Sequence, residues 1–198
     1  METAIGLGKS RRLPSAGATG KTNPMAAPQL RPETIGFELP DEAATASLAQ
    51  GLAALVRLGD VIALFGELGS GKTTFARAFI NALPRPDETS EPDPPTGAPE
   101  EVPSPTFTLL QAYERAPATV WHFDLYRLER PDDVYELGFE EALAEGIVLI
   151  EWPERLGPLL PAERLELRFG FAESADARRA SLIGTGAWSR RLRNLAAP

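Results

Sequence analysis

"GELGSGKTTF", residues 66–75, directly follows the apolar run "VIALF", residues 61–65. Gly66, Gly71, Lys72 and Thr73 meet the spacing G-x-x-x-x-G-K-[ST], between a predicted strand at 61–65 and a predicted helix over 71–82. Each residue type has a physical job in such a loop. Glycines let backbone N–H groups turn inward with no Cβ to clash. The helix N-terminus adds partial positive charge. Lysine neutralises the β and γ phosphates, and a threonine hydroxyl ligates Mg2+. A turn that only joined a strand to a helix would have no use for the lysine. Lys72 is the last of three lysines in the chain, after Lys9 and Lys21.

Working outward, "VIALF" reads as a buried parallel strand. "TIGFEL" (34–39) reads as an edge strand, followed by a helix over 42–57 that Asp41 caps. "TFTLLQAYE" (106–114) and "TVWHFDLYRL" (119–128) read as a hairpin. A helical stretch over 131–145 leads to the buried strand "GIVLIEW" (146–152). "ERLELRFGF" (163–171) and "RRASLIGTG" (178–186) form a closing antiparallel pair, and a helix over 187–195 ends the domain. This pattern predicts an α/β fold: a P-loop NTPase-type sandwich with a mixed central sheet and helices on both faces.

Asp124 ends the run "VWHFD", and Glu151 ends "GIVLIE". Ligands of an open α/β sheet collect at such strand ends. A lone strand-end carboxylate often only caps a turn; beside a phosphate loop, one becomes a metal residue and the other a water-positioning group. His122 is the only histidine. It shares a strand face with Asp124, but a lone histidine is most often a hydrogen-bonded structural residue, and it is read so here. Arg127 is open to two readings, an arginine finger or a structural ion pair. "SPTFT" (104–108) is either an ordinary turn or a segment that senses the γ-phosphate.

The 198 residues carry a net charge of −8, which does not suit broad binding to a phosphate backbone. Without cysteine there are no disulfides or thiolate sites, and a cytoplasmic setting is expected. No apolar stretch is long enough for a membrane span. Residues 1–34 read as a disordered basic tail and 35–196 as the P-loop domain, within which 84–103 is an acidic, proline-rich insertion. Met25 is an alternative start. Two decoys in the tail, "GLGKS" (6–10) and "GATGKT" (17–22), lack both the first glycine and the preceding strand.

"GELGSGKTTF", "SPTFTL", "HFDLYRL", "ELGFEEAL" and "IEWPERL", in that order, resemble the TsaE (YjeE) family. The resemblance covers about residues 36–170. It implies an ATP-binding, Mg2+-dependent protein with weak intrinsic hydrolysis. Such a protein supports formation of tRNA threonylcarbamoyladenosine (t6A) with the TsaB and TsaD subunits, meeting tRNA only through the complex. By the same resemblance Leu68, Gly69, Ser70, Gly71, Lys72, Thr73 and Thr74 hold the phosphates, with Lys72 also catalytic. Thr73 and Glu151 hold Mg2+, and Asp124 is the catalytic or water-orienting residue. Ser104 and Thr106 lie in a switch-like segment, Trp152 flanks the site, and Glu42 and Glu154 lie toward the nucleoside. The insertion and the tail depart from the family pattern, between motifs rather than within them.

The main alternative is a small-molecule kinase, which needs an acceptor pocket and a basic lid; the insertion has one arginine and many acids. A regulatory GTPase commonly reads guanine with an N-K-x-D loop, impossible here because no lysine follows Lys72.

Overall fold

Val61–Phe65 is apolar on both faces, so it must be covered from both sides, and it occupies the middle of the sheet. The computed structural model describes residues 11–12, 34–86 and 101–195. In chain order the strands are β1 (Arg11–Arg12), β2 (Thr34–Leu39), β3 (Val61–Phe65), β4 (Leu110–Tyr113), β5 (Val120–Asp124), β6 (Ile147–Glu151), β7 (Leu165–Phe171) and β8 (Arg178–Gly184). The α-helices are α1 (Glu42–Ala53), α2 (Lys72–Ala82), α3 (Phe139–Glu145) and α4 (Ala187–Leu195).

The strands lie in the order β1-β2-β8-β7-β3-β6-β5-β4. β3 pairs in parallel with β6 and β7, and β5 in parallel with β6. The β4–β5, β7–β8 and β8–β2 pairs are antiparallel. The expected mixed α/β sheet is therefore present. Seven strands form its body, and Arg11–Arg12 extends it by a two-residue pairing with Ile35 and Gly36. That pairing falls inside the expected tail: the outer edge of β2 leaves unpaired N–H and C=O groups that an extended segment can meet.

Helices cover both faces, as expected. One cluster joins Leu48 and Leu52 of α1, Phe75 and Phe79 of α2, Trp188 of α4, and Val120, Ile147 and Leu149 from the sheet. The other joins Phe123, Val148 and Ile150 to Phe139 of α3 and to Val134 and Leu156 of two 3₁₀ segments, Pro131–Leu137 and Pro153–Leu159. Alternation along β5 and β6 thus sends His122, Asp124 and Glu151 to the α2 face.

Three expected boundaries shift. The helix from 42 ends at Ala53, not 57: the next turn tightens to Leu55 N–H to Leu52 C=O and Val56 N–H to Ala53 C=O before Gly59 at φ +82°. The strand expected over 106–114 begins only at Leu110, because Leu109 N–H donates to Pro105 C=O (2.6 Å) and Leu109 takes φ +65°. The helical stretch 131–145 is split by Gly138 at φ +76° into a 3₁₀ segment and α3.

Residues 1–10, 13–33, 87–100 and 196–198 lie outside the described residues, and with them most of the tail, both decoys and most of the insertion. Among the described residues no helix is long and apolar enough to cross a membrane.

Candidate functional site

Parallel pairing brings the ends of β3, β5 and β6 to one edge. Asp124 stands opposite Glu151 in register, and Glu151 opposite Leu64. The glycine-rich loop leaves β3 at that edge, so loop and carboxylates meet there although they are far apart in sequence. The loop needs its first glycine for space as well as dihedral. At Gly66, φ is +141°, and a Cβ would stand 2.6 Å from Ser70 Oγ and 2.7 Å from Phe169 O. Gly71, at φ +107°, caps α2 without a side-chain hydrogen bond, so no side chain fills the helix N-terminus.

Lys72 opens α2 and is only 4% exposed. Nζ donates to Gly66 O (2.8 Å) and Glu67 O (2.9 Å) and sits 3.8 Å from the centre of the Trp152 ring. Both acceptors are neutral carbonyls. Burial pushes the ammonium below its usual pKa, while Glu151, Glu154 and Asp124 pull it back up. A desolvated cation on neutral acceptors next to an open helix N-terminus is a site for an anion. Trp152 reaches the lysine from a left-handed backbone (φ 58°, ψ 47°), and its ring also packs on Tyr126 at 4.9 Å.

Behind the lysine, Thr73 Oγ1 donates to Glu151 Oε2 at 2.8 Å. Glu151 Oε1 faces His122 Nε2 at 3.0 Å, and both residues are buried. Among the described residues no cluster of three metal-ligating side chains forms. The Thr73–Glu151 pair fits a hard cation that completes its shell with phosphate oxygens and water, as Mg2+ does. Asp124 accepts Thr106 Oγ1 (2.5 Å) and Ser104 Oγ (3.4 Å) on Oδ2, and the Tyr126 N–H (3.1 Å) on Oδ1. Ser104 and Thr106 also bond each other at 2.7 Å.

A cleft of about 700 Å³ gathers these groups. Glu42, Leu68, Gly69, Gly71, Lys72, Thr73, Thr74, Ser104, Thr106, Asp124, Glu151 and Trp152 line it. Ser70 is buried beneath the loop, its Oγ without a hydrogen bond among the described residues. Glu154 lies outside the cleft and reaches it only through its field at Lys72. Arg127 does not line the cleft either; its guanidinium packs 5.4 Å from the Phe107 ring.

Arg178 is one of the cleft residues that sequence reasoning missed, along with Asp41, Thr45, Tyr126 and Asp176. It donates to Gly69 O at 3.2 and 3.3 Å and lies 5.0 Å from the Phe171 ring. Asp176 from the same hairpin joins the lining. In the sequence Arg178 and Arg179 look interchangeable; only strand register decides which of them turns to the loop, the other reaching Glu38 instead.

A family model described as "Threonylcarbamoyl adenosine biosynthesis protein TsaE" matches residues 39–180. The tRNA threonylcarbamoyladenosine biosynthesis protein TsaE of Rickettsia felis is 40% identical over 129 residues, which is 65% of this chain and 68% of the relative. The protein of that name from Bacillus subtilis is 35% identical over 140 residues, 70% of this chain and 76% of the relative. The crystal structure of Bacillus subtilis YdiB superposes with a TM-score of 0.64 at 26% identity, covering 84% of this chain and 96% of that one.

Proposed function

The chain belongs to the TsaE family, and on that premise we propose that it binds ATP with Mg2+, hydrolyses it weakly, and serves tRNA threonylcarbamoyladenosine formation with TsaB and TsaD in the cytoplasm. The observation that carries the nucleotide reading is Lys72, a buried ammonium held on two loop carbonyls beside an uncapped helix N-terminus.

ATP phosphates fit the loop that Gly66, Leu68, Gly69, Ser70 and Gly71 shape, with Lys72 turning from the carbonyls to the β and γ oxygens. Thr73 and Glu151 hold Mg2+, which when bound offsets phosphate charge. Asp124 orients the water that attacks the γ-phosphorus as the bond to the β–γ bridging oxygen breaks, giving ADP and phosphate. Thr74 lies with the phosphates, Trp152 flanks them, and Glu42 lies toward the nucleoside, while Glu154, outside the cleft, acts only through its charge at Lys72.

The hydrogen bonds on Asp124 suit slow intrinsic turnover. Asp124 already accepts from Thr106, Ser104 and the Tyr126 N–H, so neither oxygen is free of a donor. Partner docking that moves the 104–108 segment releases Oδ2 for the water. The test is calorimetric ATP titration, with Mg2+ and with EDTA, of the wild type and Glu151→Gln. Glu151→Gln is expected to lose most of the affinity gained from Mg2+ and to keep the EDTA affinity within about twofold, since the amide keeps the shape and loses the charge. No measurable ATP binding by the wild type would overturn the reading.

A further inference from the structure

His122 is wholly buried, and the one hydrogen-bonding atom it shares with the site is Nε2, 3.0 Å from Glu151 Oε1. A carboxylate only accepts, so Nε2 carries a proton. Nδ1 has no hydrogen-bond partner among the described residues. A residue chosen for packing alone would avoid that orphaned atom, since an apolar side chain fills a strand position beside Leu149 without it. The imidazole accepts an unsatisfied nitrogen at one end and delivers a fixed donor at the other.

The receiving carboxylate is held from two directions. His122 takes Oε1 from below, one pleat deeper in the sheet, and Thr73 takes Oε2 from α2. With both oxygens engaged, Glu151 is held from two sides, with Oε2 at the threonine hydroxyl. Without the imidazole, Oε1 would face a cavity, and the carboxylate would be free to swing toward Lys72.

We propose that His122 is a positioning residue of the cation site: its bond to Glu151 Oε1 fixes the carboxylate so that Oε2 and the Thr73 hydroxyl are presented together to a divalent cation. The inference rests on the nucleotide reading above. Partners behind first-sphere ligands are generally worth about 10- to 100-fold in metal affinity.

The test uses the full chain and two probes, Mn2+ followed by electron paramagnetic resonance in the presence of ADP, and ADP alone in EDTA followed by calorimetry. His122→Leu is expected to weaken Mn2+ at least about tenfold and to leave ADP affinity in EDTA within about twofold. His122→Gln, whose amide reaches as far as Nε2, is expected to restore Mn2+ affinity to within about threefold of wild type. His122→Asn keeps a polar group but falls short of Glu151, so it follows His122→Leu and stands in for it if the leucine variant does not fold. Wild-type Mn2+ affinity in His122→Leu or His122→Asn overturns the proposal. So does an equal loss of ADP affinity in EDTA, which marks a merely structural residue, or a folded His122→Gln that fails to rescue. A wild type that binds ADP no better with Mn2+ than in EDTA overturns the cation reading itself, and the inference with it.

Discussion

Lys72→Met separates the cost of the phosphate site from its use. In the nucleotide-free protein the ammonium is 4% exposed and bound to two carbonyls, with its charge disfavoured by burial. Methionine removes that burden and keeps a sulfur against the Trp152 face. Gly66 is half-buried and Glu67 exposed, so water replaces the lost donors. The melting temperature without ligand should therefore stay within about 3 °C of wild type, or rise, which corresponds to less than roughly 1 kcal/mol for a domain of this size. Binding should behave oppositely. Losing one preorganised charge at a phosphate site costs about a hundredfold. At ATP·Mg equal to 100 times the wild-type Kd, the wild type gains about 2.7 kcal/mol, an upward shift of roughly 5–11 °C. The variant, then at its own Kd, gains only about 0.4 kcal/mol, or roughly 1–2 °C. Thermal melts with and without ATP·Mg measure both numbers. A variant that keeps the full ATP shift, or one that falls ten degrees without ligand, would refute the reasoning.

The same pair of proteins carries a pH prediction. Folding lowers the Lys72 pKa from 10.5, so between the lowered value and 10.5 the unfolded chain holds a proton that the folded one has shed. Wild-type stability relative to Lys72→Met should rise with pH across that window and be flat below it, in paired denaturant titrations; a fall would reverse the sign assigned to the burial. Gly66→Ala should lower the melting temperature and nucleotide affinity together, because its Cβ would stand 2.7 Å from the Phe169 carbonyl; circular dichroism melts that match wild type would contradict this. Arg191→Leu should cost about 3–5 kcal/mol in urea unfolding without altering the cleft. The guanidinium pairs with Asp60 at 2.5 and 2.6 Å, stacks 3.9 Å from the Trp188 ring and ties α4 to the strand that carries the loop. A loss below about 1 kcal/mol would place the pair among surface ion pairs.

Most of the sheet was legible because its strands are short apolar or alternating runs, and the loop because its glycines and lysine have one physical use. Asp124 and Glu151 were legible as strand ends, yet their register with each other and with β3 needed the parallel pairing. The turn at 105–109 was misread as strand. Its β-branched and aromatic residues favour extension, but Thr106 is drawn to Asp124 and Leu109 to a positive φ. Arg178 was illegible because a hydrogen bond across 109 residues leaves no local trace. His122, isolated in the sequence, gives no local sign of its role, because its partner lies 29 residues away on the neighbouring strand.

On the proposed function, ATP turnover at this cleft is coupled to a partner and serves tRNA modification. The most direct measurement is threonylcarbamoyl transfer to tRNA by purified TsaB and TsaD over many cycles, with this protein, without it, and with Asp124→Asn. The wild type should sustain repeated cycles, and its ATP hydrolysis, alone well below the common enzyme rate of about 10 per second, should rise when the partners are added. Asp124→Asn should bind ATP with near wild-type affinity and fail beyond the first cycle. Repeated modification that proceeds equally without this protein, together with rapid phosphorylation of a small molecule by this protein alone, would make it a small-molecule kinase instead.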